Sequence, residues 1–358
     1  MVAFTYDGLP GRIVFGAGVA RTTLPSELDL LGADRILLIA SGAENDIAEQ
    51  LSAPFGDRVV ATFTDVRPHV PVEVAELARR TATDAGADIV LSVGGGSTTG
   101  TAKAVALTTR LPILAVPTTY AGSEVTPVWG MTERGRKTTG TDRRVLPATV
   151  LYDPELTVTL PVELSVASGL NALAHCVEAF WAPRRSPVSS AVAEDGIRHL
   201  LAGLKTIAAA PTGLASRSEL LLGAYLAGSA FAVAGSGLHH KICHVLGGAF
   251  DLPHAQTHAI VLPYVLAYNA ANAREATDRI GRALGRTDTV EALRELGRGL
   301  GNVTSLRELG MDESDIDTVI DDIAAIAPAD NPTPVTSEGL RELLLGAWAG
   351  SDPVRPAA

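Results

Sequence analysis

Histidines in three short segments of the chain have the spacing of a metal site or an acid–base site. Asn171 and His175 are four residues apart, and so are His240 and His244; residues at this spacing lie on one face of a helix. His254 follows, with a further histidine one helical turn on. Side chains that converge from several helices commonly build such sites. A single histidine is more often a hydrogen-bonded imidazole of the core or surface, but three such segments favour a functional cluster.

A glycine loop at 94–96 follows the apolar run 89–93 and precedes a helical pattern. Glycines let a ligand approach the main chain closely, and a helix N-terminus attracts phosphate. We expect Ser97 to cap this helix and to contact phosphate. A second turn of small residues, PTTYAGSE at 117–124, follows the next apolar run. Two such loops at the carboxyl ends of parallel strands predict a nucleotide crevice; the alternative is a tight strand–helix turn without a ligand.

Strands and helices alternate in the first part of the chain. Apolar, β-branched runs occur at 12–15, 35–40, 59–63, 89–93, 113–116 and 149–152. Helical patterns lie between them, notably at 72–85 and 98–109. Such runs are typical of strands covered on both faces, and the alternation predicts an α/β domain with a parallel sheet.

After a boundary near 153–162 the chain becomes rich in Ala and Leu and its periodicity is helical. Nine helical stretches are predicted, at 163–182, 189–208, 216–234, 237–248, 258–273, 275–285, 289–301, 313–326 and 336–348. The sequence therefore predicts an α/β dinucleotide-binding domain at 1–157 and an all-helical domain at 158–358.

The composition excludes several classes of protein. The 358 residues are 46% hydrophobic, which excludes disorder as the main state. The net charge of −11 argues against a nucleic-acid partner, which requires a basic face. Two cysteines are too few for a disulfide framework, and the N-terminus lacks the pattern of a signal peptide. We therefore expect a cytoplasmic protein.

One uncharged run of 19 residues, 220–238, is long enough to span a bilayer. It consists largely of Ala, Gly and Ser, and it lacks a flanking basic cluster and aromatic belts. We interpret it as a buried helix of the helical domain, and we expect no membrane association.

These motifs together resemble the iron-containing alcohol dehydrogenase family. The resemblance rests on five segments: PGRIVFGAG near the N-terminus, the GGGS loop, the PTTYAGSE turn, the NALAH helix and the run GLHHKICHVLGGAFDLPHAQTHAIVLP. It implies a Rossmann-like N-terminal domain with an entry hairpin at its start, and the all-helical C-terminal domain shared with dehydroquinate synthase. It also implies a nicotinamide cofactor and a homodimer.

Three positions depart from the family's pattern, and each loses a carboxylate. Asn171 matches an Asp that binds iron or zinc together with His175, His240 and His254, so we expect these positions to be vestigial and a metal not to be required. Gly100 and Ser41 also stand where many members have Asp. Two like charges about 5 Å apart repel by roughly 3 kcal/mol at an effective dielectric of about 20. Replacing these carboxylates with neutral residues therefore favours the binding of a substrate that carries two negative charges.

This pattern is similar to the branch of the family that reduces a dicarboxylic enone in the breakdown of aromatic compounds. The resemblance implies hydride transfer to the carbon–carbon double bond, with histidines stabilising the enolate and supplying a proton. The predicted catalytic residues are His175, His240, His244 and His254. The predicted cofactor-binding residues are Ser41, Gly94, Gly95, Gly96, Ser97, Thr118, Thr119 and Ser123. The predicted substrate-binding residues are Lys137, Asn171 and Lys241, with Arg136 as a further candidate.

Ser41 can hydrogen-bond a ribose hydroxyl or a 2′-phosphate, so we expect both NADH and NADPH to be accepted. Three alternatives remain open from the sequence: a metal-dependent alcohol dehydrogenase of the same family, a lyase related to dehydroquinate synthase, and a nucleotide-binding protein without catalysis. The lyase is the weakest, because its zinc ligands include a glutamate that has no evident counterpart in this chain.

Overall fold

The structure is a computed structural model that describes residues 4–134 and 136–353. The described chain divides into two compact units. The first, the α/β unit, comprises residues 9–160 and 211–221. The second, the helical unit, comprises residues 4–8, 161–210 and 222–353.

A six-stranded parallel sheet forms the centre of the α/β unit. The strands of the chain are β1 (Arg12–Phe15), β2 (Ile36–Ala40), β3 (Val59–Phe63), β4 (Ile89–Gly94), β5 (Ile113–Pro117), β6 (Val128–Glu133), β7 (Arg136–Thr141) and β8 (Thr149–Tyr152). The order in the sheet is β1-β8-β5-β4-β2-β3, and every pair is parallel. Strands β2, β4 and β5 are buried throughout, as their continuous apolar sequences predict.

Two features near the edge of this sheet differ from the sequence-based expectation. Strand β1 pairs in parallel with β8 and is not part of an entry hairpin. Strands β6 and β7 form a separate antiparallel pair that the sequence analysis did not predict. Their residues are mostly half-buried or exposed and include several polar threonines, so they lack the apolar run by which the other strands were recognised.

Five helices accompany the strands of the α/β unit: α1 (Val19–Thr22), α2 (Leu24–Leu30), α3 (Asn45–Ser52), α4 (Val72–Asp84) and α5 (Gly96–Thr109). Helix α5 starts directly after the glycine loop, with Gly95 at the N-cap position. The expectation that Ser97 caps this helix was therefore wrong. Ser97 lies in the first turn, because the helix begins at Gly96, two residues earlier than a cap at Ser97 would place it.

The nine predicted helical stretches of the second half are confirmed. They are α6 (Val162–Ala179), α7 (Pro187–Ile207), α8 (Leu214–Ala234), α9 (Leu238–Phe250), α10 (His254–Ala270), α11 (Arg274–Leu284), α12 (Thr289–Gly299), α13 (Asp315–Ile326) and α14 (Ser337–Ala349). Helices α9, α10, α13 and α14 share one apolar core, which includes Ile242, Val261, Ile323 and Leu344. This core holds the two helices that carry most of the histidines.

The uncharged run at 220–238 lies mainly in α8, where Leu220, Ala224, Ala227 and Ala230 are fully buried. Within the described residues, no single helix is long and apolar enough to cross a membrane. Helices α8 and α9 together meet that test by length and composition, but they are bent by 102° at the break between them.

Candidate functional site

The glycine loop lies at the carboxyl end of β4, where only glycines fit. Gly94 has a φ of 152°, and a Cβ there would approach the Thr98 hydroxyl to 2.5 Å. A Cβ on Gly95 would lie 2.9 Å from the side chain of Thr119. Packing therefore requires glycine at both positions, and the loop leads into the N-terminus of α5, where unpaired backbone N–H groups suit a phosphate.

The second predicted loop meets the first at the same edge of the sheet. Thr118 donates its backbone N–H to the carbonyl oxygen of Gly94 at 3.2 Å. The nearest side chain to a Cβ on Gly96 would be that of Ala121, at 3.3 Å. Ser123 begins the 3₁₀ turn Ser123–Val125 that follows. The structure thus brings together the predicted residues of both loops.

A buried lysine that the sequence analysis missed fixes the second loop. Lys103, on α5, is 1% exposed, and burial lowers its pKa to about 7, while the Glu124 carboxylate acts in the opposite direction. The Lys103 ammonium donates to three main-chain oxygens: Ser123 at 2.6 Å, Thr126 at 2.8 Å and Val128 at 2.8 Å. These acceptors require three N–H donors, as only the charged form provides. The one feature of the sequence that could have revealed this role is that Lys103 is the only charged residue of α5.

Ser41, predicted to contact the cofactor, follows β2 directly. Its hydroxyl donates to the carboxylate of Glu44, which also accepts from the Thr118 hydroxyl at 3.5 Å. A carboxylate is therefore present close to the position where the sequence suggested one had been lost. Glu44 was not predicted as a site residue, because it lies three residues after Ser41, the position at which many family members have an aspartate.

Gly100 is closed to the carboxylate that many family members have there. A Cβ on Gly100 would lie 2.8 Å from Cγ2 of Val70. The chain reaches this position through two residues with positive φ, His69 at 59° and Val70 at 50°. Because Val70 fills the space, an aspartate at this position would require the segment around it to move.

Six histidines of the helical unit form one cluster: His175, His239, His240, His244, His254 and His258. The ring centroids of His175 and His240 are 4.9 Å apart, those of His240 and His258 are 4.8 Å apart, and those of His254 and His258 are 4.2 Å apart. All four predicted catalytic histidines are therefore brought together. The sequence analysis did not assign roles to the other two, although adjacency to His240 and the four-residue spacing from His254 pointed to them.

Glu178 holds the centre of this cluster, and the sequence analysis missed it. It lies on α6, three residues after His175, and is fully buried. One carboxylate oxygen, Oε1, accepts the backbone N–H groups of His239 at 2.7 Å and His240 at 3.4 Å. The other, Oε2, pairs with Nδ1 of the His240 ring. Glu178 therefore caps the N-terminus of α9 and fixes the orientation of the His240 ring.

Burial divides the histidines into two groups. His175, His239, His240 and His258 are buried, whereas His244 and His254 are half-buried. Burial lowers the pKa of His239 to about 4 and lowers those of His175 and His258 below the usual value. These three rings are therefore neutral near pH 7. His244 and His254, whose rings are stacked with centroids 6.3 Å apart, are the more accessible members.

The predicted substrate residues lie in both units. Asn171 is buried on α6, and its side-chain oxygen makes no hydrogen bond among the described residues. Lys241 is half-buried on α9, next to His240. Arg136 and Lys137 lie at the start of β7 in the α/β unit. Asn171 and Lys241 thus belong to the helices of the cluster, whereas the other two belong to the antiparallel strand pair.

The residues at the family's metal-ligand positions do not present the donor set that iron requires. Asn171 offers a neutral amide oxygen, a poor ligand for a divalent ion compared with a carboxylate. Among the described residues, the ring nitrogens of His175, His240 and His254 do not form a set close enough to hold one ion. The closest set of ligand atoms in the described chain belongs to His239, His240 and His258, within 4.8 Å of one another. Only His240 belongs both to this set and to the family's metal-ligand positions. Tetrahedral zinc needs ligand nitrogens about 3.3 Å apart, so these rings would have to move closer together to bind it.

Comparisons with known proteins agree with this architecture. The family described as "Iron-containing alcohol dehydrogenase" matches residues 10–154, and the "Fe-containing alcohol dehydrogenase family, C-terminal" matches residues 165–348. A maleylacetate reductase of Sphingobium indicum is 47% identical over 351 residues, which are 98% of this chain and 99% of that protein. A maleylacetate reductase of Burkholderia cepacia is 46% identical and covers 100% of both chains.

A solved structure gives the same result. The crystal structure of an iron-containing alcohol dehydrogenase from Corynebacterium glutamicum matches with a TM-score of 0.94 and 50% identity, covering 99% of each chain. The resemblance inferred from the motifs and the predicted fold class are therefore confirmed.

Restoring the carboxylate at position 171 tests the account of the metal positions. We expect Asn171→Asp to raise the affinity for Zn²⁺ by about 10-fold or more, because a charged ligand replaces a neutral one. Affinity would be measured by competition with a chromophoric chelator, and Asn45→Asp on α3 would serve as the control. Equal affinity of Asn171→Asp and the unaltered protein would show that Asn171 does not limit metal binding.

Proposed function

This chain belongs to the iron-containing alcohol dehydrogenase family, and we propose that it reduces maleylacetate to 3-oxoadipate with NADH or NADPH. The observation that carries the proposal is the cluster of six histidines, together with the neutral Asn171 one helical turn before His175 on α6, where the family has a charged metal ligand. The full-length similarity to maleylacetate reductases supports it. The α/β unit would bind the cofactor, and the helical unit would hold the reacting part of the substrate.

The charge of the substrate is consistent with a site whose one described carboxylate, Glu178, is engaged by other groups. Maleylacetate carries two carboxylates, and each unopposed acidic group nearby would repel it. In the histidine cluster, Glu178 is engaged by two backbone N–H groups and the His240 ring. The other cluster members described above are imidazoles, which donate hydrogen bonds without negative charge. Lys241 and Lys137, with Arg136, are proposed to bind the substrate carboxylates.

The reaction requires one hydride and one proton. A reduced nicotinamide held by the glycine loop and the turn at 117–124 would supply the hydride, an electron pair with its proton, to the alkene carbon β to the ketone. The π electrons move onto the ketone oxygen as an enolate, and the α carbon then takes a proton. The products are the oxidised nicotinamide and the saturated keto diacid. Stabilising the oxyanion and supplying the proton are therefore the tasks left to this chain's side chains.

The histidines divide these tasks according to their positions. We assign oxyanion stabilisation and proton donation to His240, His244 and His254. The bond between Nδ1 of His240 and Glu178 leaves Nε2 as the reacting nitrogen of that ring. His244 and His254 are more accessible and can approach a bound substrate. His175, buried against the His240 ring, orients the cluster.

The proposal extends to the setting of the enzyme. We propose that it acts without a metal ion, as a homodimer in the cytoplasm. A second candidate is a metal-dependent alcohol dehydrogenase. It is favoured by the 50% identity to the iron-containing alcohol dehydrogenase of Corynebacterium glutamicum, and it would require the ring nitrogens of His239, His240 and His258 to move closer together around an ion.

An absorbance assay of reduced-nicotinamide consumption separates the two candidates. We expect maleylacetate to be turned over at the same rate before and after dialysis against a chelator, because the proposed mechanism uses imidazoles in place of a metal. A simple primary alcohol with the oxidised cofactor is expected to give at most about 1% of that rate. Loss of activity on chelation, with recovery on adding iron or zinc, would support the dehydrogenase instead.

Replacing His254 tests the role of the accessible imidazoles. We expect His254→Ala to lower kcat about 100-fold or more, since a positioned acid contributes about 10²–10⁴-fold. Binding of NADH, followed by its fluorescence, should not change. His199→Ala, on α7, is the matched control and should retain full activity. A normal kcat in His254→Ala would remove His254 from the mechanism.

Replacing Glu178 tests the positioning of His240. We expect Glu178→Gln to lower kcat about 100-fold, because the ring loses the partner that fixes its orientation, while KM for the cofactor stays unchanged. Glu178→Asp should recover part of the rate, and Glu163→Gln, an exposed carboxylate on the same helix, should have no effect. A merely structural role would lower the melting temperature of Glu178→Gln and leave the kcat of the folded protein intact.

A further inference from the structure

Glu44 places a negative charge on the edge of the sheet where the glycine loop begins. It is the last residue of the 3₁₀ turn Gly42–Glu44, which follows β2 after Ser41. Its Oε2 accepts from the Ser41 hydroxyl, and its Oε1 accepts from the Thr118 hydroxyl at 3.5 Å. The two hydroxyls thus hold the carboxylate from both sides.

The order of the strands shows what lies beneath this carboxylate. Ser41 follows β2 and Thr118 follows β5, and β4 lies between these two strands in the sheet. A group bonded to both residues therefore spans the carboxyl end of β4, where the loop starts at Gly94. In parallel α/β sheets this crevice is where dinucleotides bind, and the acidic residue that binds the adenosine ribose lies at the end of the strand next to the glycine-loop strand. Here that neighbouring strand is β2.

We propose that Glu44 determines the cofactor preference of this enzyme and selects NADH over NADPH. The carboxylate accepts a hydrogen bond from a ribose hydroxyl of NADH, and it repels the dianionic 2′-phosphate that replaces this hydroxyl in NADPH. This inference rests on the proposed function only in requiring that the α/β unit bind a nicotinamide dinucleotide.

The surrounding sequence offers no cation to offset this charge. Residues 41–52 contain three carboxylates, Glu44, Asp46 and Glu49, and neither Lys nor Arg. Folds that accept NADP place an arginine near the 2′-phosphate. The local charge therefore acts in the same direction as Glu44.

The position of Glu44 also changes the expectation, based on Ser41 alone, that NADH and NADPH are both accepted. A serine alone can serve a hydroxyl or a phosphate, which predicts that both cofactors are accepted. In the structure the Ser41 hydroxyl donates to Glu44, so its effect is to orient the carboxylate. Ser41 then supports the preference for NADH.

The test measures cofactor binding in the absence of substrate. Dissociation constants of NADH and NADPH are obtained from the fluorescence of the reduced nicotinamide at low ionic strength. We expect the unaltered protein to bind NADH about 10-fold or more tightly than NADPH. Glu44→Gln should reduce this ratio about 10-fold, by tightening NADPH binding and weakening NADH binding. Added salt should reduce the preference of the unaltered protein, because screening weakens the repulsion.

Two further variants control for charge and for folding. Asp46→Asn removes one exposed carboxylate from the same segment and should change the ratio far less than Glu44→Gln does, because solvent and salt screen an exposed charge. Glu44→Asp keeps the charge and should retain the preference for NADH. An unchanged ratio in Glu44→Gln, or equal affinities in the unaltered protein, would overturn the role of Glu44 and leave the proposed reaction intact. Failure to bind either dinucleotide would overturn both proposals.

Discussion

The buried carboxylate of Glu178 determines how the helices of the histidine cluster meet. It joins α6 to the N-terminus of α9, where unpaired backbone N–H groups would otherwise be buried at a cost of roughly 1–3 kcal/mol each. Its approach requires Gly237, because a Cβ there would lie 2.7 Å from Oε1. The same contact sets the His240 ring against His175, which is only three residues before Glu178. One ionic group therefore specifies both the packing of two helices and the orientation of the central imidazole.

A buried cation has the corresponding role in the α/β unit. Lys103 binds three carbonyl oxygens of the chain that follows β5, and this fixes the main chain after Thr118 and Thr119. Tyr152 donates to Glu124 at 2.7 Å beside it, so the carboxylate that accompanies the lysine is also satisfied. Lys103 binds these carbonyl oxygens from its buried position on α5. It therefore fixes the 117–124 turn without occupying the side that we propose for the cofactor. Both units therefore use a buried charge to shape the backbone next to a site.

The sequence predicted the elements of the fold far better than the polar contacts between them. Buried strands and amphipathic helices are recognisable because their own residues carry the periodicity. The β6–β7 pair was not predicted, because its half-exposed residues lack an apolar run. Glu178 and Glu44 were missed for a different reason: each acquires its role from partners elsewhere in the chain. The cap at Gly95 was misassigned to Ser97, because serine is a preferred N-cap residue and the true cap makes no side-chain hydrogen bond.

The three lost carboxylates are not equivalent once their surroundings are known. At position 100 the side chain of Val70 occupies the space, so the neutral residue is required by packing. At position 171 the side-chain oxygen is buried without a hydrogen-bond partner among the described residues, so this position retains a polar acceptor for a ligand. At position 41 the residue is neutral, but a carboxylate is present three residues further along the chain, at Glu44. The proposed reaction centre therefore keeps only a carboxylate that is engaged by other groups, Glu178, whereas the carboxylate of Glu44 lies at the proposed ribose end of the crevice, where it discriminates between cofactors rather than repelling the dicarboxylate.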